Sequence, residues 1–265
     1  MGTGYSISDL RRDFPGEEAC LAFLFDARHS RKCSCGGRYS PVRGRRKLQC
    51  SKCRFQVAPM AGTVFHKSST PLSLWFHAIF VFSHAKSGVS AKEMQRQLGV
   101  TYKCAWRMMR LVREALGSER GLLSGTVETD SASIGRLTVM AAVERGGRAT
   151  AQVAEGTGKQ SIDRFLASSV SRDARLMTDG APAYWNSGYP RRERITHSYG
   201  FSRGDVHVNT AEAFFSHVKR SMRGTFKGVS SQHLQSYLDA FSFHWSNRRS
   251  DRERFEALMG ILLRA

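Results

Sequence analysis

Four of the six cysteines stand in two pairs, "KCSCGG" at Cys33 and Cys35 and "LQCSKC" at Cys50 and Cys53. A Cys-x-x-Cys knuckle turns tightly enough to aim two thiolates at one tetrahedral zinc, and a second pair about 15 residues away completes a structural site. The second pair is regular. The first is one residue short, so His29 and Cys20 stand as alternative ligands. Three carboxylates further along form a different set. Asp130 closes the extended stretch "GTVETD", Asp179 closes "ARLMTD", and Glu212 stands in "VNTAEAFFSHVKR" with Lys219 two helical turns beyond it. Carboxylate oxygens are the hard ligands that Mg²⁺ takes. Each also has a structural reading: Asp179 before Gly180 starts a turn, Glu128 shares the strand face of Asp130, and Asn209 with Glu212 has capping-box spacing.

The elements that must position these groups follow from pattern. "GGRYSPVRGRRKLQC" reads as a glycine turn, a strand and a basic hairpin, the layout of a zinc ribbon over residues 31–58, with seven basic residues and no acidic one from Arg38 to Arg54. So small a module lacks a core, and one structural Zn²⁺ would supply its stability. Thr70 before Pro71 opens a helix through Ala85. Ser90-x-x-Glu93 opens a short helix ending near Gly99, and Thr101 caps a longer one to about Leu116. That pair resembles a helix-turn-helix. Ala105, Met109, Val112 and Leu116 make its apolar stripe, with Lys103, Arg107 and Arg110 opposite, a face suited to DNA. Beyond residue 121 come an extended segment ending at Asp130, β-rich runs at 137–144 and 149–155, a helix "KQSIDRFLASSV" and a strand ending at Asp179. Three strands, a helix and a fourth strand open an RNase H-like mixed α/β sheet. In the helix of Glu212, Phe215, Val218 and Met222 form the buried stripe, while Glu212, Ser216, Lys219 and Arg223 share a neighbouring face. The expected divisions are an N-terminal helical segment (1–30), the zinc ribbon (31–58), a helical, helix-turn-helix-like region suited to DNA (59–120) and an RNase H-like domain carrying the three carboxylates (121–265).

Charge narrows the partners. The chain carries 41 Lys and Arg against 22 Asp and Glu, a net of +19, a balance that favours a polyanion, above all nucleic acid. Residues 1–120 hold 21 basic and 8 acidic side chains, a net of +13, against 20 and 14 in the rest. The front half is therefore the expected DNA grip, with Arg43, Arg45, Arg46 and Lys47 in the basic hairpin. The longest apolar run, "LSLWFHAIFVF", falls far short of the roughly 18 residues that span a bilayer and reads as a core helix. No secretion signal stands at the N-terminus, so the expected location is cytoplasmic, at the nucleoid, where cysteines serve as ligands or buried thiols.

In order and content "FPGEEACLAFLFDAR", the cysteine pairs, "AGTVFHKSSTPLSLWFHAIF", "SGVSAKEMQRQLGVTYKCAWRMMRLVR", "VETDSASIG", "LMTDGAPAY", "RGDVHVNTAEAFFSHVKRSMRGTF" and "HLQSYLDAFSFHWSNRR" resemble bacterial insertion-sequence transposases with an N-terminal zinc ribbon and an RNase H-like DDE domain. The resemblance covers nearly the whole length. It implies that Asp130, Asp179 and Glu212 are the acidic triad and Lys219 the accompanying base, while Asn209 matches an asparagine that some relatives use as the third catalytic position. This chain departs from the pattern in its short first knuckle, in Ser131 after the first Asp, and in a stretch trimmed to Gly135–Leu137.

The chemistry implied is phosphodiester cleavage followed by attack of the freed 3′-OH on target DNA. Two Mg²⁺ ions, with Mn²⁺ able to substitute, would serve both steps, Asp130 bridging them and Asp179 and Glu212 each holding one. The expected partners are double-stranded DNA, as terminal inverted repeats and target, and a second copy of the chain at least. The alternatives are a DNA-binding regulator that has lost catalysis and a nuclease or resolvase without strand transfer.

Overall fold

The computed structural model describes residues 4–118, 121–185, 187–195 and 205–265; Arg203 and Gly204 lie outside them. The chain forms two compact units, one of Met1–His84, Ala91–Ala115 and Arg249–Ala265, the other of Ala85–Ser90 and Leu116–Arg248.

In the first unit α1 (Ile7–Asp13) starts at a capping box, Ser6 accepting from the Asp9 N–H and Asp9 from that of Ser6. Helices α2 (Glu17–Asp26) and α3 (Leu72–His84) follow, separated by an antiparallel sheet of β1 (Tyr39–Pro41), β2 (Leu48–Cys50) and β3 (Gln56–Val57). α3 is a core helix as its composition demands, burying Leu72, Trp75, Phe76, Ala78, Ile79 and Phe82. Its cap is not Thr70. Glu17 reaches across from α2 and accepts from the N–H groups of Leu72 (2.6 Å) and Ser73 (3.3 Å), a charge-assisted cap at the positive end of the helix dipole. α4 (Ala91–Leu98) ends at Gly99, whose φ of +66° favours glycine. α5 (Tyr102–Leu116) starts at Thr101, whose Oγ1 accepts from the Cys104 N–H at 3.3 Å.

The last helix, α9 (Asp251–Arg264), falls in this first unit although it follows the residues of the second. Phe255 packs on Tyr5 and Phe14, Arg254 donates to the Ser83 carbonyl at 3.0 Å, and the Val64 N–H bonds the Leu262 carbonyl at 3.1 Å. A sequence division at 120/121 assigns α9 to the later domain, because an apolar stripe on a helix does not say which core it enters.

The second unit is a mixed sheet flanked by helices. Its strands are β4 (Thr126–Ile134), β5 (Leu137–Glu144), β6 (Ala149–Ala154), β7 (Arg175–Thr178) and β8 (Arg192–Arg194), in the order β6-β5-β4-β7-β8. β5 alone runs against the other four. β4 and β5 meet in a two-residue turn, Ile134 opposite Leu137, with Gly135 at φ +60°, so the trimmed stretch is a tight hairpin. Val139, Ala141 and Val143 of β5 face α7 (Asn209–Ser221) and α8 (Leu234–Ser246), burying Phe214, Phe215, Val218, Leu238 and Phe241 against them. Met140 and Ala142 face the other way, onto Ile162, Phe165 and Leu166 of α6 (Lys159–Ser169).

Candidate functional site

The register of the sheet brings two of the three carboxylates together. In the parallel pair β4–β7, Glu128 lies opposite Met177 and Thr129 opposite Thr178; one step further come Asp130 and Asp179. Parallel neighbours stand about 4.8 Å apart in the hydrogen-bonding direction, and this spacing holds for Thr129 and Thr178, the residues directly before the two aspartates. β4 does not end at Asp130 as its sequence suggests but runs on to Ile134, with Asp130 opposite Ala141 of β5. What ends there is the pairing with β7. Since Ala141 faces α7, Asp130 faces α7 as well. Burial raises the pKa of the Tyr184 phenol, a hydrogen bond with Thr129 works against that, and the charges of both Asp179 and Asp130 add to the rise. Asp179 also accepts from the Ala181 N–H at 3.2 Å, so the turn-forming role and a place beside Asp130 coexist.

α7 is anchored to β4 by the carboxylate two residues before Asp130. Glu128 is fully buried and accepts from the Thr210 N–H (2.6 Å), the Thr210 hydroxyl (3.0 Å), the Ala211 N–H (3.2 Å) and Arg145 Nε (2.6 Å). His207 Nδ1 lies 3.2 Å from the same carboxylate without hydrogen-bond alignment, a contact that becomes an ion pair when the ring is protonated. The first turn of α7 therefore takes its cap from a neighbouring strand. The position before the helix is Val208, which offers no side-chain cap, and Asn209 is the first helical residue. The capping-box spacing of Asn209 and Glu212 forms no capping box. Glu212 is exposed, with no hydrogen bond or ion pair to its carboxylate among the described residues. Phe215, Val218 and Met222 are buried as their spacing demands, while Ser216 and Arg223 are exposed and Lys219 is half-buried.

Four cysteines form a second centre, in the other unit. The Sγ atoms of Cys33, Cys35, Cys50 and Cys53 all lie within 4.8 Å of one another. Cys33 and Cys53 are 3.7 Å apart, and Cys35 and Cys50 3.4 Å; a tetrahedral ion with Zn–S bonds of about 2.3 Å sets its sulfurs about 3.8 Å apart. The short first knuckle closes because two glycines follow it. Gly36 takes φ +78°, and a Cβ on Gly37 would stand 2.5 Å from Cys50 Sγ. Tyr39 donates its hydroxyl to Cys33 Sγ at 3.4 Å, and this bond first of all lowers the pKa of the Cys33 thiol, in the direction of the thiolate that binds metal. The His29 ring lies against that of Phe25 in a tilted pair, and Cys20 is buried in α2 with its thiol pushed up to about 12 by burial and then by Glu17. Neither joins the cluster. Among the described residues this is the one set of three or more His, Cys, Asp or Glu side chains gathered so closely; Asp130, Asp179 and Glu212 do not form such a set.

The basic residues divide. Arg43, Arg45 and Lys47 are exposed at the turn between β1 and β2, whereas Arg46 turns inward, pairing with Glu17 at 2.8 Å and donating to the Ser68 carbonyl at 2.8 Å. Its charge offsets the carboxylate that caps α3. Lys103, Arg107 and Arg110 are exposed on α5 opposite buried Ala105, Met109 and Val112, with Arg110 paired to Glu114 at 2.7 Å.

These observations meet what is found among known proteins. Residues 122–246 match the family model described as "ISXO2-like transposase domain". An uncharacterized protein in transposable element ISH50 of Halobacterium salinarum is 29% identical over 237 residues, an alignment spanning 77% of this chain and 80% of that protein. Over residues 122–246 the chain is thus similar to a transposase domain, and over most of its length to a protein of a transposable element. The catalytic core domain of BIV integrase, a solved structure, aligns with 51% of this chain and 95% of its own at 14% identity and a TM-score of 0.37. No helix among the described residues is long and apolar enough to cross a membrane.

Proposed function

We propose that the protein is a DDE transposase that binds the terminal inverted repeats of its element, at least as a dimer on DNA, and catalyses strand cleavage and 3′-OH transfer into target DNA. The observation that supports this reading is the parallel pair Thr129–Thr178, each residue directly followed by one of the aspartates, Asp130 and Asp179, in a sheet packed against α7, the helix of Glu212. Sheet order and the single reversed strand are those expected of an RNase H-like domain. Asp130, Asp179 and Glu212 would hold divalent ions; their hard oxygens, one on β4, one directly after β7 and one with no hydrogen bond or ion pair among the described residues, fit that role. Bound Mg²⁺, or Mn²⁺ in its place, supplies Lewis-acid chemistry that activates water and stabilises a leaving 3′ oxygen. Lys219, on the face of Glu212, holds a phosphate oxygen of the strand. Asn209, one turn before Glu212, is the alternative third position. Arg43, Arg45, Lys47, Lys103, Arg107 and Arg110 grip DNA phosphates, with Arg46 supporting the hairpin from within.

The test is a strand-transfer reaction with a pre-cleaved terminal-repeat end and supercoiled target. Joined products that need Mg²⁺ or Mn²⁺ are expected. Cleavage without joining would indicate a nuclease, and repeat binding without either reaction a regulator.

The four cysteines would hold one structural zinc. Protein purified without chelator is expected to contain one zinc per chain, and Cys33→Ser to lose it together with the fold of the ribbon, because the free energy of metal binding is there the free energy of folding. Elemental analysis decides it; full retention of zinc by Cys33→Ser would return a ligand role to His29 or Cys20.

A further inference from the structure

A cleft of about 560 Å³ opens in the second unit between the β4–β5 turn and the connection from α7 to α8. Its size is that of small-ligand sites, commonly about 300–1,000 Å³. The floor is apolar: Ile134, Leu137 and Val229 pack on the core beneath α7 and α8, and Met222 and Leu234 are themselves buried. The rim is cationic. Arg136, Arg223 and Lys227 line it, all exposed, and no Asp or Glu does. Among the described residues none of the three side chains has a hydrogen bond or ion pair.

The backbone around the rim is unusual in a way that serves the cleft. α7 passes into a single π-helical turn, Met222–Phe226, and Lys227 then takes φ +54°. A lysine in the left-handed region is strained, and π turns recur at functional sites. Lys227 ends the helix there and lies on the rim of the cleft.

We propose that this cleft is a nucleotide subsite for the DNA strand being processed, with Arg136, Arg223 and Lys227 on its phosphates and an unstacked base on the apolar floor. Duplex phosphates alone would use the rim and leave the floor in water; an unpaired nucleotide uses both, as strand-binding proteins combine cations with base contacts. The position suits a strand leaving the carboxylates. From Asp130 to Ile134 along β4 is about 14 Å, and from Glu212 to the end of α7 a similar length. At about 3.4 Å per nucleotide along a duplex strand that is about four nucleotides. Lys219 and Arg223, on the face of Glu212, mark the path.

The subsite rests on the transposase reading, and the test separates the two. Full-length protein is titrated with a blunt terminal-repeat duplex and with the same duplex carrying an unpaired 2-aminopurine four nucleotides from the cleaved end. Wild type is expected to bind the unpaired probe more tightly and to change its fluorescence. Lys227→Gly removes the cation and relieves the strain, so its melting temperature holds or rises. Combined with Arg136→Ala it is expected to bind the unpaired probe at least roughly tenfold more weakly and the blunt duplex nearly as before. Equal loss on both probes, or on neither, overturns the subsite while leaving the transposase reading intact. A wild-type chain that binds neither probe overturns both.

Discussion

Glu212→Gln is expected to abolish cleavage and strand transfer together while the protein keeps its fold and its grip on the terminal repeat. The substitution removes one negative oxygen and almost no volume. If Glu212 holds an ion, both steps fail by about two to three orders of magnitude, the scale of losing one preorganised electrostatic group. Stability has little to lose. Glu212 is exposed, and the N–H groups of the first turn of α7 already go to Glu128 rather than to it. An exposed substitution of this kind stays within about 0.5 kcal/mol, a shift of about 1–2 °C in melting temperature for a chain of this size. Strand transfer and melting are measured side by side, with Asp130→Asn, Asp179→Asn and Asn209→Ala as companions. An active Glu212→Gln would remove Glu212 from the site, and an inactive, stably folded Asn209→Ala would then move the third position there.

The second large effect is expected at Glu128, which touches no substrate in this reading. Its carboxylate ties the strand of Asp130 to the helix of Glu212 through Thr210 and Ala211, and it neutralises Arg145, whose Nη2 in turn donates to the His207 carbonyl at 3.1 Å. Glu128→Ala strands two helix N–H groups and a largely buried guanidinium. Breaking a buried pair from one side costs about 3–5 kcal/mol, which denaturant titration would register. Glu128→Gln keeps the shape and one acceptor oxygen, so it should recover part of that stability. Its activity should recover less, because a helix held by fewer bonds samples positions in which Glu212 is off its mark, and a misplacement of about 1 Å costs on the order of a hundredfold in rate. A Glu128→Gln protein with wild-type stability and wild-type activity would show that the clamp does not position the site. Wild-type stability with reduced activity would show that it does.

How much of this was legible in the linear chain varies by element. The strand run at 137–144 coincides with β5, and the helix that opens at 159 closes within one residue of its expected end. Both carry strong apolar patterns. β8 was invisible: "RER" is three charged residues with no apolar period, and it is a strand only because β7 offers it an open edge. The stripes on α5 and α7 were legible because helix geometry alone decides which residues share a face.

Residue types and local spacing thus determined the four-cysteine module, the chemistry open to three carboxylates, and the buried faces of the helices. These depend on neighbours within a few positions, whose geometry the backbone imposes. Tertiary structure alone decided the long-range pairings. The parallel register set Thr178, the residue before Asp179, opposite Thr129, the residue before Asp130, and Glu128 was given to the helix. Both local caps were displaced by carboxylates distant in sequence, Thr70 by Glu17 and the Asn209–Glu212 pair by Glu128. A helix end presents unpaired N–H groups and half a positive charge to whatever stands nearest in space. An ionised carboxylate brought there by another element outcompetes a neutral cap from the helix's own flank, and no local pattern records which element will bring it.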